Sequence, residues 1–584
     1  MKPVPSNEMN GEMRRSTQRR GRLRFDAMAL LKFVVVVFFV IFLVGPIVAM
    51  VFTAFTNELI NVFGSLVSLD ELRFNLAIIR ETVSFSYIVD LFSEERYVQA
   101  TINSLLLSTA VAVSAVVLTL PIAYGIARTG MRGKRVIGTM VLVPLIVPTF
   151  ISAYGFMLMF ERTGWVTQIA SQLLGIEQLV NLRSGFAVYW VQLLTFFPFA
   201  LLPMIASFKM MDAALEEAAE SLGGPRWLTW LTITMPLAIP GITSGALLVF
   251  VVTMSDFGAP IILAPRGFPL LPVEAYREMS GYFNWSGAAI LSLVLVILAG
   301  FFLYLQKFVL RGGHYGLEGK ATRPMITDRK ITVPLSLYSI VFLLVPIAII
   351  LSVAVQSFAT TWGLGILPDG YTLDNYRHIM DRSLASIRNS LVLGVGALGI
   401  SVVVATSTAY FVVRRNAQSL DFLATMPLAI PGVALAIAFI QTFNLPPFEL
   451  VGTAFLLVVA YAIRRLPHML RTTASAMMQV KKNVEEAAVS LGATPLLMVL
   501  TIVTPLVMPG IIAGGIIVFI TVIKEISVTV LLAPAQWPPM SLEVFRLLLR
   551  GELYIASALA IIIVVIVTVF QVIAQRIAGD KALF

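Results

Sequence analysis

The chain has 584 residues, 58% of them hydrophobic and 13% charged, and its mean hydropathy of +0.90 is far above that of a soluble globular domain. No long polar stretch remains to build a soluble domain, and the absence of cysteine excludes disulfides, thiol catalysis and Cys-ligated metal sites. The net charge of +10 would suit nucleic acid if it formed a patch, but it is spread in a pattern that argues against nucleic acid and for membrane lipids as the environment.

Taken in chain order, the first feature is a basic tail over residues 1–32, with Lys2, Arg14, Arg15, Arg19, Arg20, Arg22, Arg24 and Lys32 directly before the first apolar block. This is the mark of a cytoplasmic N-terminus. The block that follows is too long for a cleavable signal peptide and lacks an obvious small-residue cleavage site. Apolar blocks of about 20 residues then recur, the length that crosses roughly 30 Å of hydrocarbon as a helix. Lipid offers no hydrogen-bond partners, so the blocks must be helical. Twelve spans are expected, near 33–55, 103–127, 136–160, 185–207, 233–255, 287–310, 332–356, 389–413, 421–443, 451–470, 500–522 and 555–577. Basic residues gather after the even-numbered spans, at Arg128, Arg132, Lys134 and Arg135, then Arg311 to Lys330, Arg414 and Arg415, and Arg471, Lys481 and Lys482. The 56–100 loop is mainly acidic. Even-numbered spans therefore return to the cytoplasm, and both termini lie inside.

The chain repeats itself. Residues 216–241 read EEAAESLGGPRWLTWLTITMPLAIPG, and residues 485–510 read EEAAVSLGATPLLMVLTIVTPLVMPG, 269 residues apart. Both copies have a Glu-Ala-Ala, a Gly six residues after that Glu (Gly223, Gly492), and a Pro and a Pro-Gly at matching later positions. Asn103-Ser104-Leu105 matches Asn389-Ser390-Leu391 at 286, Pro144 and Pro148 match Pro427 and Pro431 at 283, and Leu263-Ala264-Pro265 matches Leu532-Ala533-Pro534 at 269. An offset that changes only in loops describes a duplicated unit. Six spans is an even number, so the halves share orientation and a pseudo-twofold axis along the membrane normal. The fold class expected is an all-α polytopic membrane protein of two tandem six-helix units. Its parts are the tail 1–32, a first half 33–310, a cytoplasmic linker 311–331 and a second half 332–584.

Each EEAA segment predicts a surface elbow. Alanine and glutamate favour short helices over 212–222 and 481–491, Gly223 and Gly492 suit the left-handed residue that ends a helix, and Pro225 and Pro495 suit the next first turn, with Thr494 as N-cap. An ordinary interfacial helix joining two spans would explain one copy. It does not explain fixed positions in both.

Glu217-Ala218-Ala219 with Gly223, and Glu486-Ala487-Ala488 with Gly492, resemble the EAA loop of permease subunits of binding-protein-dependent ABC importers. The resemblance covers both halves, with loops at 212–225 and 481–495. It implies that these residues form coupling helices docked on a cytoplasmic ATPase, in two copies for two loops, and that a periplasmic or extracellular binding protein delivers substrate at the other face. It implies a bacterial inner-membrane, multi-pass protein. Fusion of two halves is similar to ferric-iron permeases, with thiamine and aminoalkylphosphonate importers as alternatives.

No phosphate-cradling loop is present: Gly319-Lys320 is the nearest match, but His314 stands where the earlier Gly is required and Ala321 where Ser or Thr is. The chain is thus expected to be no enzyme and to bind no cofactor of its own, ATP being used by the partner. No metal site is assigned, since His314, His378 and His468 are too scattered to form one.

Asp256 and Glu525, each closing an apolar span at the same offset of 269, are the acidic candidates for the substrate pathway, able to receive a cation or amine at its outer mouth. The plain alternative puts both in solvated outward loops, Glu525 pairing with Lys524. Arg464 and Arg465 are expected to snorkel to the headgroups, and prolines within spans to kink them. An ion-coupled secondary transporter is the rival class. It would need charges mid-membrane, and none is evident in the sequence.

Overall fold

The computed structural model describes residues 27–176, 179–211, 213–312, 326–363 and 365–578. Most of the basic tail, the centre of the expected linker and the Gly319-Lys320 stretch lie outside those residues. Among the described residues the architecture is all-α, with two isolated β-bridges, Thr129 to Ile326 and Ala359 to Tyr371.

Among the described residues, seven helices are long and apolar enough to cross a membrane: Ala27–Thr56, Glu95–Arg128, Trp227–Met254, Trp285–Val309, Arg329–Ser357, Asp374–Arg415 and Leu553–Ile577. Four bent pairs bring the number to as many as 11 if each pair is one span. The tenth expected span, near 451–470, coincides with the helix Ala454–Gln479, which is not among these because its apolar run is interrupted by Arg464, Arg465 and Arg471.

Proline accounts for most departures from straight α-helix. It lacks the amide hydrogen and its ring strikes the carbonyl four residues back. Pro148 and Pro431 occupy matching breaks, where Lys134–Ile146 meets Thr149–Leu174 at 103° and Gln418–Ala429 meets Gly432–Phe443 at 109°. Pro198 opens the second helix of a 40° pair. Elsewhere the helix widens instead of breaking: π-turns at Val40–Val44, Trp230–Thr234 and Val499–Val503 each end two residues before a proline (Pro46, Pro236, Pro505), giving the displaced carbonyls a longer hydrogen-bond register.

The halves interlock. Ala27–Thr56 packs on the re-entrant helix Gly432–Phe443 of the second half, with Phe42 and Phe63 ring centroids 5.5 and 6.1 Å from Phe443. Arg329–Ser357 lies in the same way against Thr149–Phe160 of the first half. There the Trp165 indole donates to Ser352 Oγ at 2.8 Å, Tyr154 donates to Gln356, and Tyr338 donates to the Leu118 carbonyl at 2.7 Å. Each bent helix is therefore held by the leading span of the opposite half. The packing forms one continuous apolar core.

Candidate functional site

The two elbows share one backbone construction. Helix Ala213–Ser221 ends at Gly223 with φ +85°, and Lys482–Ser490 ends before Gly492 with φ +90°. In the first, the Gly223 amide donates to the Glu220 carbonyl and the Gly224 amide to Ala219, both at 3.0 Å. In the second, the Gly492 amide donates to Val489 at 2.9 Å and the Ala493 amide to Ala488 at 3.0 Å. This paired closure satisfies the last carbonyls and requires a left-handed residue, hence glycine. Thr494 caps the next helix, its Oγ1 accepting from the Leu497 amide at 3.4 Å, and Pro495 is the first helical residue.

Of the residues singled out in the elbows, Glu217, Ala218, Gly223, Glu486, Ala487 and Gly492 are exposed, Ala219 is half-buried and Ala488 is buried. At each tip stands an exposed leucine that sequence reasoning missed, Leu222 at 89% and Leu491 at 90% exposure.

Also unforeseen is what holds the elbows in place. The preceding glutamates, Glu216 and Glu485, turn inward. Glu216 is buried, paired with Arg128 at the end of Glu95–Arg128, and its Oε1 accepts from Thr234 Oγ1 at 2.6 Å. Glu485 accepts from Arg414 Nε at 2.5 Å, and Arg414 Nη2 donates to the Val480 carbonyl at 2.8 Å. Arg128 and Arg414 stand 286 residues apart, so the duplication reproduces the ion pair itself. That recurrence at the two offsets already noted was the available signal.

The second cluster lies where the halves meet. Asp256 is buried: Oδ1 accepts from Thr149 Oγ1 at 2.8 Å and the Gly258 amide at 3.2 Å, and Oδ2 accepts from Gln192 Nε2 at 3.1 Å. Glu525 is 4% exposed, with Oε1 accepting from the Ser527 and Val528 amides at 2.9 and 3.3 Å. Its Oε2 pairs with Arg465 and, at 3.4 Å, with Arg464 Nε. A Cβ on Gly258 would lie 3.5 Å from Ile526 Cγ2, which places the two acidic segments side by side.

Three expectations are corrected here. Asp256 and Glu525 do not sit in solvated loops, and Glu525 pairs with the two arginines instead of Lys524. Lys524 reaches across the halves to the Leu145 carbonyl at the first bend. Arg464 and Arg465 do not snorkel: they lie near the middle of Ala454–Gln479 with side chains 15% and 18% exposed, drawn inward by the Glu525 carboxylate. Charges therefore do occur deep in the helical bundle, and their supposed absence no longer weighs against an ion-coupled carrier.

Residues 397–580 match the family described as "Binding-protein-dependent transport system inner membrane component". The chain is 25% identical over 516 residues to a ferric transport system permease protein, FbpB, of Actinobacillus pleuropneumoniae, covering 86% of this chain and 74% of that one. It is 26% identical over 485 residues to an Fe(3+)-transport system permease protein of Haemophilus influenzae, covering 81% and 89%. A Salmonella paratyphi A protein named for a 2-aminoethylphosphonate transport system permease is 26% identical over 248 residues, 42% of this chain and 92% of its own. These relatives are transport components. Such relatives along most of its length, the family segment in its second half and its apolar helices support a fused two-half ABC transporter permease, multi-pass in the inner membrane.

Proposed function

We propose that the chain forms the substrate pathway of an ATP-driven importer and is driven through its two elbows. Each elbow is a coupling helix for one copy of a separate cytoplasmic ATP-binding subunit, with Glu217, Ala218, Ala219 and Gly223, and Glu486, Ala487, Ala488 and Gly492, as the docking residues. The observation that carries this reading is the exposed leucine repeated at each tip, flanked by an exposed glutamate and small alanines. Apolar tips rimmed by polar groups mark a protein partner's surface. Both termini then lie in the cytoplasm. The 56–100 segment, whose helix Leu69–Thr82 exposes Leu69, Phe74 and Leu76, offers the opposite face to a substrate-binding protein. ATP is hydrolysed by the partner, and this chain holds no cofactor. Asp256 and Glu525 border the pathway between the halves. Ferric iron leads as cargo from the names of two relatives that match most of the chain, and 2-aminoethylphosphonate is second on the name of a third.

Because the chain has no native cysteine, single cysteines at 222 and 491 give clean crosslinking sites. Each is expected to capture one nucleotide-hydrolysing subunit in membranes from cells producing the whole system. Capture of lipid alone from both positions would dismiss the reading.

Gly492→Val tests the elbow separately. Nothing lies within 4 Å of a Cβ there, so the cost is backbone strain alone, about 1–2 kcal/mol, confined to the turn. The variant is expected to insert and melt normally, while its ATPase no longer responds to substrate-loaded binding protein. Undiminished uptake by it would count against coupling through this turn.

A further inference from the structure

Arg464, Arg465 and Lys524 meet two carboxylates at the junction of the halves, and we infer that this cluster receives an oxyanion: the cargo presents phosphonate, phosphate or carboxylate oxygens to it in transit. The inference rests on the permease reading and narrows its substrate class.

Arg464 and Arg465 pair with Glu525, Lys524 stands next to it in the chain, and Asp256 is the second carboxylate of the junction, so three cations against two carboxylates leave a surplus of one positive charge inside the bundle. The two carboxylates are already occupied. Asp256 is satisfied by neutral donors, Thr149, Gln192 and backbone amides, and Glu525 is shared between two arginines and two amides. The cations are not. Arg464 Nη1 and Arg465 Nε are buried without a hydrogen-bond partner among the described residues, and Lys524 has only the Leu145 carbonyl. Buried donors on a charged group are costly to leave unmade, and a guanidinium fork matches the spacing of oxyanion oxygens.

Room for the arginine is built into the backbone. A Cβ on Gly432 would stand 1.3 Å from Arg464 Nη1, so only glycine at the head of the re-entrant helix admits the guanidinium. The first half has Thr149 at the matching position and Thr195 and Phe196 where the second has the arginines, so the site belongs to one half alone. A bare ferric ion would be repelled by the surplus charge, and no group of three or more His, Asp or Glu able to hold a metal occurs among the described residues. Two sources of the chemistry fit: a free organic oxyanion such as a phosphonate, or a ferric ion carried within oxyanion ligands.

The test is thermal unfolding of the purified full-length chain in detergent, titrated with sodium phosphate, 2-aminoethylphosphonate, citrate or ferric citrate against sodium chloride of equal ionic strength. Wild type is expected to show a saturable rise in its midpoint with at least one oxyanion. In Arg464→Gln the apparent affinity should fall about 10-fold or more, the loss of one charge-assisted contact, while Arg464→Lys, which keeps the charge but not the fork, should fall less. Arg464→Gln leaves the Arg465–Glu525 pair in place. Should it fail to fold, Lys524→Gln, which keeps a donor for the Leu145 carbonyl, is expected to show the same fall. A stronger response to ferric citrate than to citrate identifies the ferric complex, and a stronger response to the phosphonate the free oxyanion. No rise beyond chloride in wild type, or equal rises in wild type and the neutral variants, overturns the inference. ATPase capture at the elbows does not enter this titration, so the two readings fail separately.

Discussion

Alanine at position 525 is expected to destabilise the protein by about 3–5 kcal/mol, the cost of removing one partner from a buried ion pair. The Glu525 carboxylate is the only one paired with Arg464 and Arg465 among the described residues, and its Oε1 closes the turn after Met508–Ile523 through the Ser527 and Val528 amides. Its loss strands two guanidiniums in a low-dielectric interior with Lys524 beside them. Asp256→Ala makes the contrast. It removes an equally buried carboxylate whose partners are neutral, and should cost about 1–3 kcal/mol, the penalty of unsatisfied polar groups. Thermal unfolding in detergent compares the two, with Glu525→Gln intermediate because it keeps the shape and one acceptor. If Asp256→Ala were the more damaging, the charge cluster would not be what holds the junction.

The second large effect concerns transmission through the bundle. Arg414 is bound at once to Glu485 in the elbow helix and to the Val480 carbonyl that precedes it, with both side chains nearly buried, 8% and 12% exposed. Arg414→Ala is therefore expected to loosen Lys482–Ser490 from the end of Asp374–Arg415 while leaving the spans folded. Hydrogen exchange in the elbow should rise about 10- to 100-fold, corresponding to a local loss of about 1.4–2.8 kcal/mol. Arg128→Ala should do the same in the first half, with Thr234 retaining part of the hold on Glu216. Under the coupling reading, each variant also loses uptake with its ATPase still active. Unchanged exchange in both elbows would show that the pairs carry no mechanical load.

The elbows were legible because every feature that makes them is local. The alanine-rich helix, the left-handed glycine, the threonine cap and the following proline act within a few residues, and the duplication printed them twice. The spans were legible for the same reason, since a run of apolar residues in lipid has no alternative to helix. Ala454–Gln479 was found too, although its charges fell on a face that the sequence could not orient.

What stayed hidden depends on partners far away in the chain. Arg128 and Arg414 read as surface charges obeying an orientation bias, yet each finds a glutamate 88 or 71 residues on. Arg464 and Arg465 read as snorkelling side chains until Glu525, 60 residues beyond Arg465, turned them inward. Hydropathy, turn chemistry and repeat are properties of neighbouring residues, and from them the sequence by itself determined the membrane class, most of the spans and the backbone of the elbows. The exchange of leading spans, the inward face of the arginines and the ties beneath the elbows were decided only by the tertiary structure. Burying a charge is tolerable only where another element supplies its counter-charge, and which element arrives there is a matter of packing.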